Sequence, residues 1–280
     1  MRARSRIDRW RWLTGLLLLL ALLAQPAAAA VKVQVLSAPS AALSALRSGS
    51  PDVQWLAEGS RESPDLFLVW QASAYAQARA RAGDTPVLVL AQHPGQVSLR
   101  SQDAALYWAP ALEQQIQLAR QIRPGLTRIG ILHRAGHTAD LDALPALPGV
   151  NLVTRAVSGP LQARDIAELA QRADLLVAVN DEQLFGSDNA KLILLTAYRH
   201  QRAWVGPTPA YVHAGAIASM AVSKGELLAA LIERVRHWQR SRRLGASQVL
   251  TADQVICNHQ VARSLGLGLV TMPGCSGENE

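Results

Sequence analysis

The chain has 280 residues, 49% hydrophobic and 18% charged, with two cysteines and a formal net charge of +7. Residues 1–30 hold five arginines and one aspartate, which supply +4 of that charge; the remaining +3 or so, without a clustered basic face, is no argument for nucleic acid. About 250 residues past this leader suffice for one large core or two smaller ones, and no solenoid-period repeat or low-complexity tract interrupts them.

Arg2, Arg4, Arg6, Arg9 and Arg11 precede an apolar stretch at 13–23 and a small-residue run, Gln-Pro-Ala-Ala-Ala-Ala, at 25–30. The apolar stretch is too short to span a bilayer comfortably, and the small residues suit a signal peptidase. Residues 1–30 are therefore expected to be a cleaved signal peptide, with the mature chain starting near Val31 in the periplasm. An uncleaved anchor is the other reading, and no cysteine lies near the junction to take a lipid.

Val31–Leu36 opens a series of short apolar runs that continues at 65–70, 86–91, 127–133 and 175–180. Runs apolar at every position, not at alternate ones, belong to strands buried on both faces, as in a parallel sheet covered by helices. Between the first two runs lie a small-residue helix at 38–47, the breaker Ser48-Gly49-Ser50-Pro51 and a short strand at 52–57. Ser73 is placed to cap a helix at 74–82, and His93-Pro94-Gly95 ends the third run. Residues 111–122 form an amphipathic helix before Pro124-Gly125, which marks a crossing from a first lobe to a second. Residues 134–148 read as loop or frayed helix, followed by a strand at 150–156 and a helix at 160–172. A helix at 188–200 and a short strand at 203–206 follow, broken by Pro207-Thr208-Pro209. Residues 214–221 are expected to pass back towards the first lobe. Ser223 and Glu226 form a capping-box pattern for a helix at 225–240, and Asn258 caps a last helix ending at Gly266. The basic run 234–243 falls at the end of the longer helix, where cations complement unpaired carbonyls. Cys257 and Cys275 are expected to pair in an oxidising compartment.

No nucleophile elbow, phosphate loop, zinc-helix motif or dinucleotide fingerprint is present. Asp181-Glu182 are adjacent and so point apart, a poor acid/base pair, and His133, His137 and Asp140 read as loop residues, not metal ligands. In open parallel sheets, ligands bind beyond the carboxyl ends of the strands. That rule selects Trp70, Gln71, Ser73 and His93 from the first half and Asn180, Asp181 and Thr208 from the second. Trp70 offers a flat apolar surface, Ser73 a hydroxyl beside helix amides, and Asp181 a carboxylate for a ligand's ammonium or hydroxyl.

Four segments carry a family resemblance: 64–82 continuing into 84–91 with Pro86; 111–122 with Pro124 and Thr127-Arg128-Ile129-Gly130-Ile131-Leu132; 177–181, 203–206 and the Gly215-Ala216 step; and 255–267 with Asn258, Ala262 and Leu265-Gly266-Leu267. In these the chain resembles the ABC-transporter substrate-binding family of tryptophan- and tyrosine-type periplasmic components, with a shortened first lobe between Leu36 and Asp65. Where that family often places acidic residues, this chain has Pro207, Thr208 and Pro209. The resemblance implies an α/β, two-lobed, type 1 periplasmic-binding-protein-like fold, each lobe a mostly parallel sheet flanked by helices. It implies lobes at 31–122 and 127–206, with 207–280 crossing back to complete the first. It also implies a non-enzymatic periplasmic solute-binding protein that captures an amino-acid-like ligand or organic anion and docks on a membrane permease, with no cofactor or metal. The alternative is a degenerate binding-protein fold serving a membrane receptor or sensor kinase.

Overall fold

The computed structural model describes residues 30–267 and 275–277, so the expected leader lies outside the described residues but for Ala30. In chain order the first part runs β1 (Val31–Leu36), α1 (Ser40–Gly49), β2 (Val53–Leu56), β3 (Leu66–Val69), α2 (Tyr75–Ala82), β4 (Val87–Ala91), β5 (Ala104–Tyr107) and α3 (Leu112–Ile122). The second part runs β6 (Arg128–Arg134), the single turn α4 (Ala139–Asp142), β7 (Asn151–Val157), α5 (Ala163–Arg172), β8 (Leu175–Ala178), α6 (Ser187–Arg199), β9 (Trp204–Val205), α7 (Pro209–Ala214) and β10 (Ala218–Ala221). The last part runs α8 (Lys224–Ser241), β11 (Gln248–Val249), β12 (Gln254–Cys257), α9 (His259–Ser264) and β13 (Cys275–Gly277).

These strands form two sheets, ordered β11-β5-β4-β3-β1-β2 and β13-β12-β10-β9-β8-β6-β7. Every pairing is parallel except β10 with β12. Parallel pairing explains the continuous apolar runs: β3, β4, β5 and β8 are buried at every residue because helices cover both faces. In the first sheet, Val31, Val33 and Val35 face Leu46 of α1 and Leu231, Val235 and Trp238 of α8. Leu36, Phe67 and Val69 face the other way, onto Tyr75 and Ala78 of α2. The second sheet has one continuous core, to which α3, α5 and α6 contribute Ile116, Ile166 and Ile193. Gly130 in β6 makes room for this packing, since a Cβ there would meet Leu176 Cδ2 at 2.5 Å and Ala173 Cβ at 2.8 Å.

The chain passes between the sheets three times, at 108–111, 222–223 and 250–253. The crossings are stitched together by hydrogen bonds: Leu250 N donates to Tyr107 O (2.7 Å) and Asp253 N to Ala221 O (3.0 Å). Ser223 N donates to Asp253 Oδ1 (2.6 Å).

Several expectations are corrected. The helix at 112–122 does not close the first lobe; its apolar stripe, Leu112, Ile116 and Ala119, packs into the second core. The tail does not serve the first lobe alone. Its α8 and β11 join the first, whereas β10, β12, α9 and β13 complete the second, so 214–221 stays in the second lobe. The first lobe is not short of its second strand either, because the 28 residues between Leu36 and Asp65 hold both α1 and β2, and β2 pairs with β1 in register Val31 to Val53. Ser73 does not cap a helix: it lies within the 3-10 turn Ala72–Ala74, and neither that turn nor α2 has a side-chain cap. Ser223 Oγ accepts from Glu226 N at 3.1 Å, but the reciprocal half of the box is missing because Asp253 takes the Ser223 amide. Asn258 Oδ1 caps α9 by accepting from Val261 N at 3.0 Å.

Cys257 and Cys275 are joined by a disulfide, with their Cα atoms 5.6 Å apart. The closed loop, an 18-residue separation, corresponds to about 3 kcal/mol of chain entropy removed from the unfolded state.

Candidate functional site

The carboxyl ends of β3, β4 and β5 in the first lobe and of β6 and β8 in the second open onto one cleft. A cavity of about 600 Å³ lies there, walled by Trp70, Gln71, Ser73, His93 and Trp108 on one side and Arg134, Asp181 and Glu182 on the other. A second space of about 480 Å³ shares His93, Arg134 and Asp181 and extends towards Asn180 and Asp140. Each falls within the size range of small-molecule sites.

Each wall is held by its own hydrogen bonds. Arg134 Nε donates to Asp181 Oδ2 at 2.5 Å, while Asp181 Oδ1 accepts from the amides of Gln183 (3.0 Å) and Leu184 (3.2 Å). Asp181 is thus fixed on its own loop, and its charge is matched by Arg134. Asn180 Nδ2 donates to Pro110 O at 2.7 Å, so this amide ties the second lobe to the first crossing. Gln96 Oε1 accepts from Gln92 N at 2.7 Å, which orients its amide to donate to Glu182 Oε1 at 2.8 Å. That bond spans the cleft from one lobe to the other. His93 Nδ1 accepts from Gly95 N at 3.2 Å and holds the turn after β4. Burial, reinforced by the Asp181 charge, pushes the Asp140 carboxyl above the usual carboxylate range, against the opposing pull of His93 and of the Asn180 backbone amide.

The sequence expectations divide accordingly. Trp70, Gln71, Ser73, His93 and Asp181 line the larger cavity, and Ser73 is exposed with no hydrogen bond from its hydroxyl among the described residues. Asn180 lines only the smaller space. Thr208 lines neither; it precedes α7 and makes no side-chain cap. Tyr211, at the same strand end, is buried against Phe185 with ring centroids 6.4 Å apart, and burial pushes its hydroxyl pKa up. The strand-end rule overlooked Gln96, Trp108, Arg134 and Glu182. Arg134 ends β6, and the rule reaches it once that strand is extended by one residue. Trp108 follows β5, whose four residues, Ala-Ala-Leu-Tyr, are too short and alanine-rich to signal a strand. Among the described residues, no group of three or more His, Cys, Asp or Glu side chains is placed to hold a metal ion.

No family model matches the chain, and no curated protein matches it. Solved structures do. The chain is similar to a substrate-binding protein with adhesive properties from Clostridium difficile in its ligand-free, open structure (TM-score 0.65, 14% identity, covering 89% of this chain and 98% of that one). It is similar to an ABC domain in complex with L-Trp from Streptococcus pneumonia (TM-score 0.55, 16% identity, 88% and 99% covered). It is also similar to a conserved domain protein from Vibrio cholerae (TM-score 0.52, 18% identity, 89% and 99% covered). At such identities the likeness is one of fold: two mostly parallel sheets flanked by helices, the two-lobed, type 1 periplasmic-binding-protein-like α/β architecture.

Proposed function

We propose that this chain is a solute-binding protein, exported by its leader to the periplasm, that captures a small molecule between its lobes and delivers it to a membrane permease of an ABC-type uptake system. The observation that carries this reading is the cleft itself. Polar and aromatic side chains from five strand ends of two separate sheets converge on one cavity of about 600 Å³. Three crossings hinge those sheets, so a ligand touching both walls favours closure over opening. Two fold neighbours, a substrate-binding protein and an ABC domain in complex with L-Trp, agree with it. Binding without catalysis is the simpler account of the walls. The Ser73 hydroxyl makes no hydrogen bond to a base among the described residues, and the Asp181 carboxylate is occupied by Arg134 and two backbone amides. The alternative of a receptor- or kinase-docking remnant drew on a shortened first lobe, and the six-stranded first sheet removes that ground.

A thermal-shift screen over amino acids, short peptides, amines and organic acids tests the proposal. A ligand at a hundredfold excess over its Kd adds about 2.7 kcal/mol to the folded state, a clear rise in Tm. The shift should vanish with Trp70→Ala, which removes one wall of the cavity without touching the hinge. A screen in which no compound moves Tm defeats solute capture.

A further inference from the structure

We infer that the cleft is selective for a cation with an aromatic or apolar body, such as an arylalkyl amine, and not for an organic anion. The inference rests on the solute-capture reading and specifies its ligand.

Three independent features point this way. The first is the charge of the walls. Four carboxylates, Asp140, Asp142, Asp181 and Glu182, line the two connected spaces, against one arginine. The chain beyond the leader carries a small positive excess, so this local reversal is not a general acidity of the surface. The second is the pairing. The charge of Arg134 is matched by Asp181 through Nε, so only its two Nη groups are left to meet an incoming anion. Glu182 is different, because its only partner among the described residues is the neutral amide of Gln96, which leaves the carboxylate charge unmatched. An ammonium entering there replaces a neutral donor with a charged one, and hydrogen bonds between ionised partners are the stronger kind. The third is the opposite wall. Trp70 and Trp108 end β3 and β5 on the first lobe, both are half-buried, and neither indole N–H donates to a protein acceptor among the described residues. Indole faces attract cations as well as apolar rings. A cation nearby would oppose the burial that chiefly raises the Asp140 carboxyl, and with it the smaller push from Asp181.

Three probes that share one ring and differ in charge test the inference: tryptamine, L-tryptophan and indole-3-propionate, titrated calorimetrically into the full mature chain. Tryptamine should bind at least about tenfold more tightly than either of the others and should weaken as salt rises. Glu182→Gln should weaken tryptamine about tenfold and should not weaken indole-3-propionate, whose carboxylate loses a repulsive neighbour, and because Glu182 is exposed the variant should fold normally. Binding of the zwitterion or the anion as tightly as tryptamine overturns the cation assignment but leaves solute capture standing. If neither tryptamine nor any other amine in the screen binds while uncharged or acidic compounds do, the cation assignment again fails alone. Silence from every compound of every charge defeats both.

Discussion

At the residue scale, polar side chains in this protein mostly hold backbone, and the sequence shows only their identity, not their partners. Asp174 illustrates this. Its carboxyl lies at the amino ends of β6 and β8 and accepts from Thr127 N (3.2 Å), Thr127 Oγ1 (3.1 Å), Arg128 N (2.9 Å) and Arg128 Nη2 (2.8 Å). Burial alone would raise its pKa, but these donors outweigh burial and hold it well below the ordinary carboxylate range. A carboxyl depressed in the folded state stabilises fully above its unfolded pKa of about 4 and loses that contribution as pH falls through its folded value. Asp174→Asn should therefore cost about 1–3 kcal/mol at pH 7, and the gap to the parent should narrow progressively below pH 4. Urea titrations at pH 7, 4 and 3 check it; a gap that does not shrink on acidification refutes the assignment. The candidate site shows the same limit of legibility. Residue type and position at strand ends found Trp70, Gln71, Ser73, His93 and Asp181 at the cavity. They could not show that Asn180 is spent on Pro110, or that Thr208 sits beyond the walls, because both outcomes depend on which way a loop turns after its strand.

At the scale of elements, strands with long apolar runs were legible and the allegiance of helices was not. The five runs named from the sequence all appear as strands, because burial on both faces keeps them mainly apolar, with only Lys32 and Gln34 interrupting β1 and charged residues confined to the ends of β6. An amphipathic stripe says that a helix packs, but not on which sheet. Helix α3 follows β5 in sequence yet lies on the second core, and Gln115 explains how it stays there. This side chain is only 1% exposed; its Nε2 donates to Gly206 O at 3.0 Å and its Oε1 accepts from Met220 N at 3.3 Å. It thereby clamps α3 to the ends of β9 and β10, just where the chain prepares its second crossing. Gln115→Leu fills the same space but leaves a carbonyl and an amide buried without partners. That should cost about 2–4 kcal/mol, since each orphaned group carries its own desolvation penalty. Chemical denaturation measures the loss, and hydrogen exchange should show it concentrated in β9, β10 and α3. A variant as stable as the parent would mean that water replaces the amide.

At the scale of the whole molecule, the spacing of the lobes depends on few direct bonds. The crossings carry backbone and side-chain hydrogen bonds among themselves, but over the cleft the Gln96 to Glu182 bond of 2.8 Å joins the walls 86 residues apart in sequence. Its members are partly or fully exposed, so water competes for both and the net contribution is about 1 kcal/mol, not the several that a buried charged bond would give. A term of that size can still set an equilibrium between open and closed forms, because 1.4 kcal/mol is a tenfold change in population. Gln96→Ala should therefore shift the ligand-free protein towards an open form by several-fold while leaving its Tm nearly unchanged, since each lobe keeps its own core. Small-angle scattering of the ligand-free variant should show a larger radius of gyration than the parent. Adding a saturating ligand should bring the two curves together, because ligand contacts to both walls then replace the missing bond. If the ligand-free variant and parent scatter identically, the cleft is held at its present width by the crossings alone, and lobe closure would have to be set by Asn180, Pro110 and their neighbours instead.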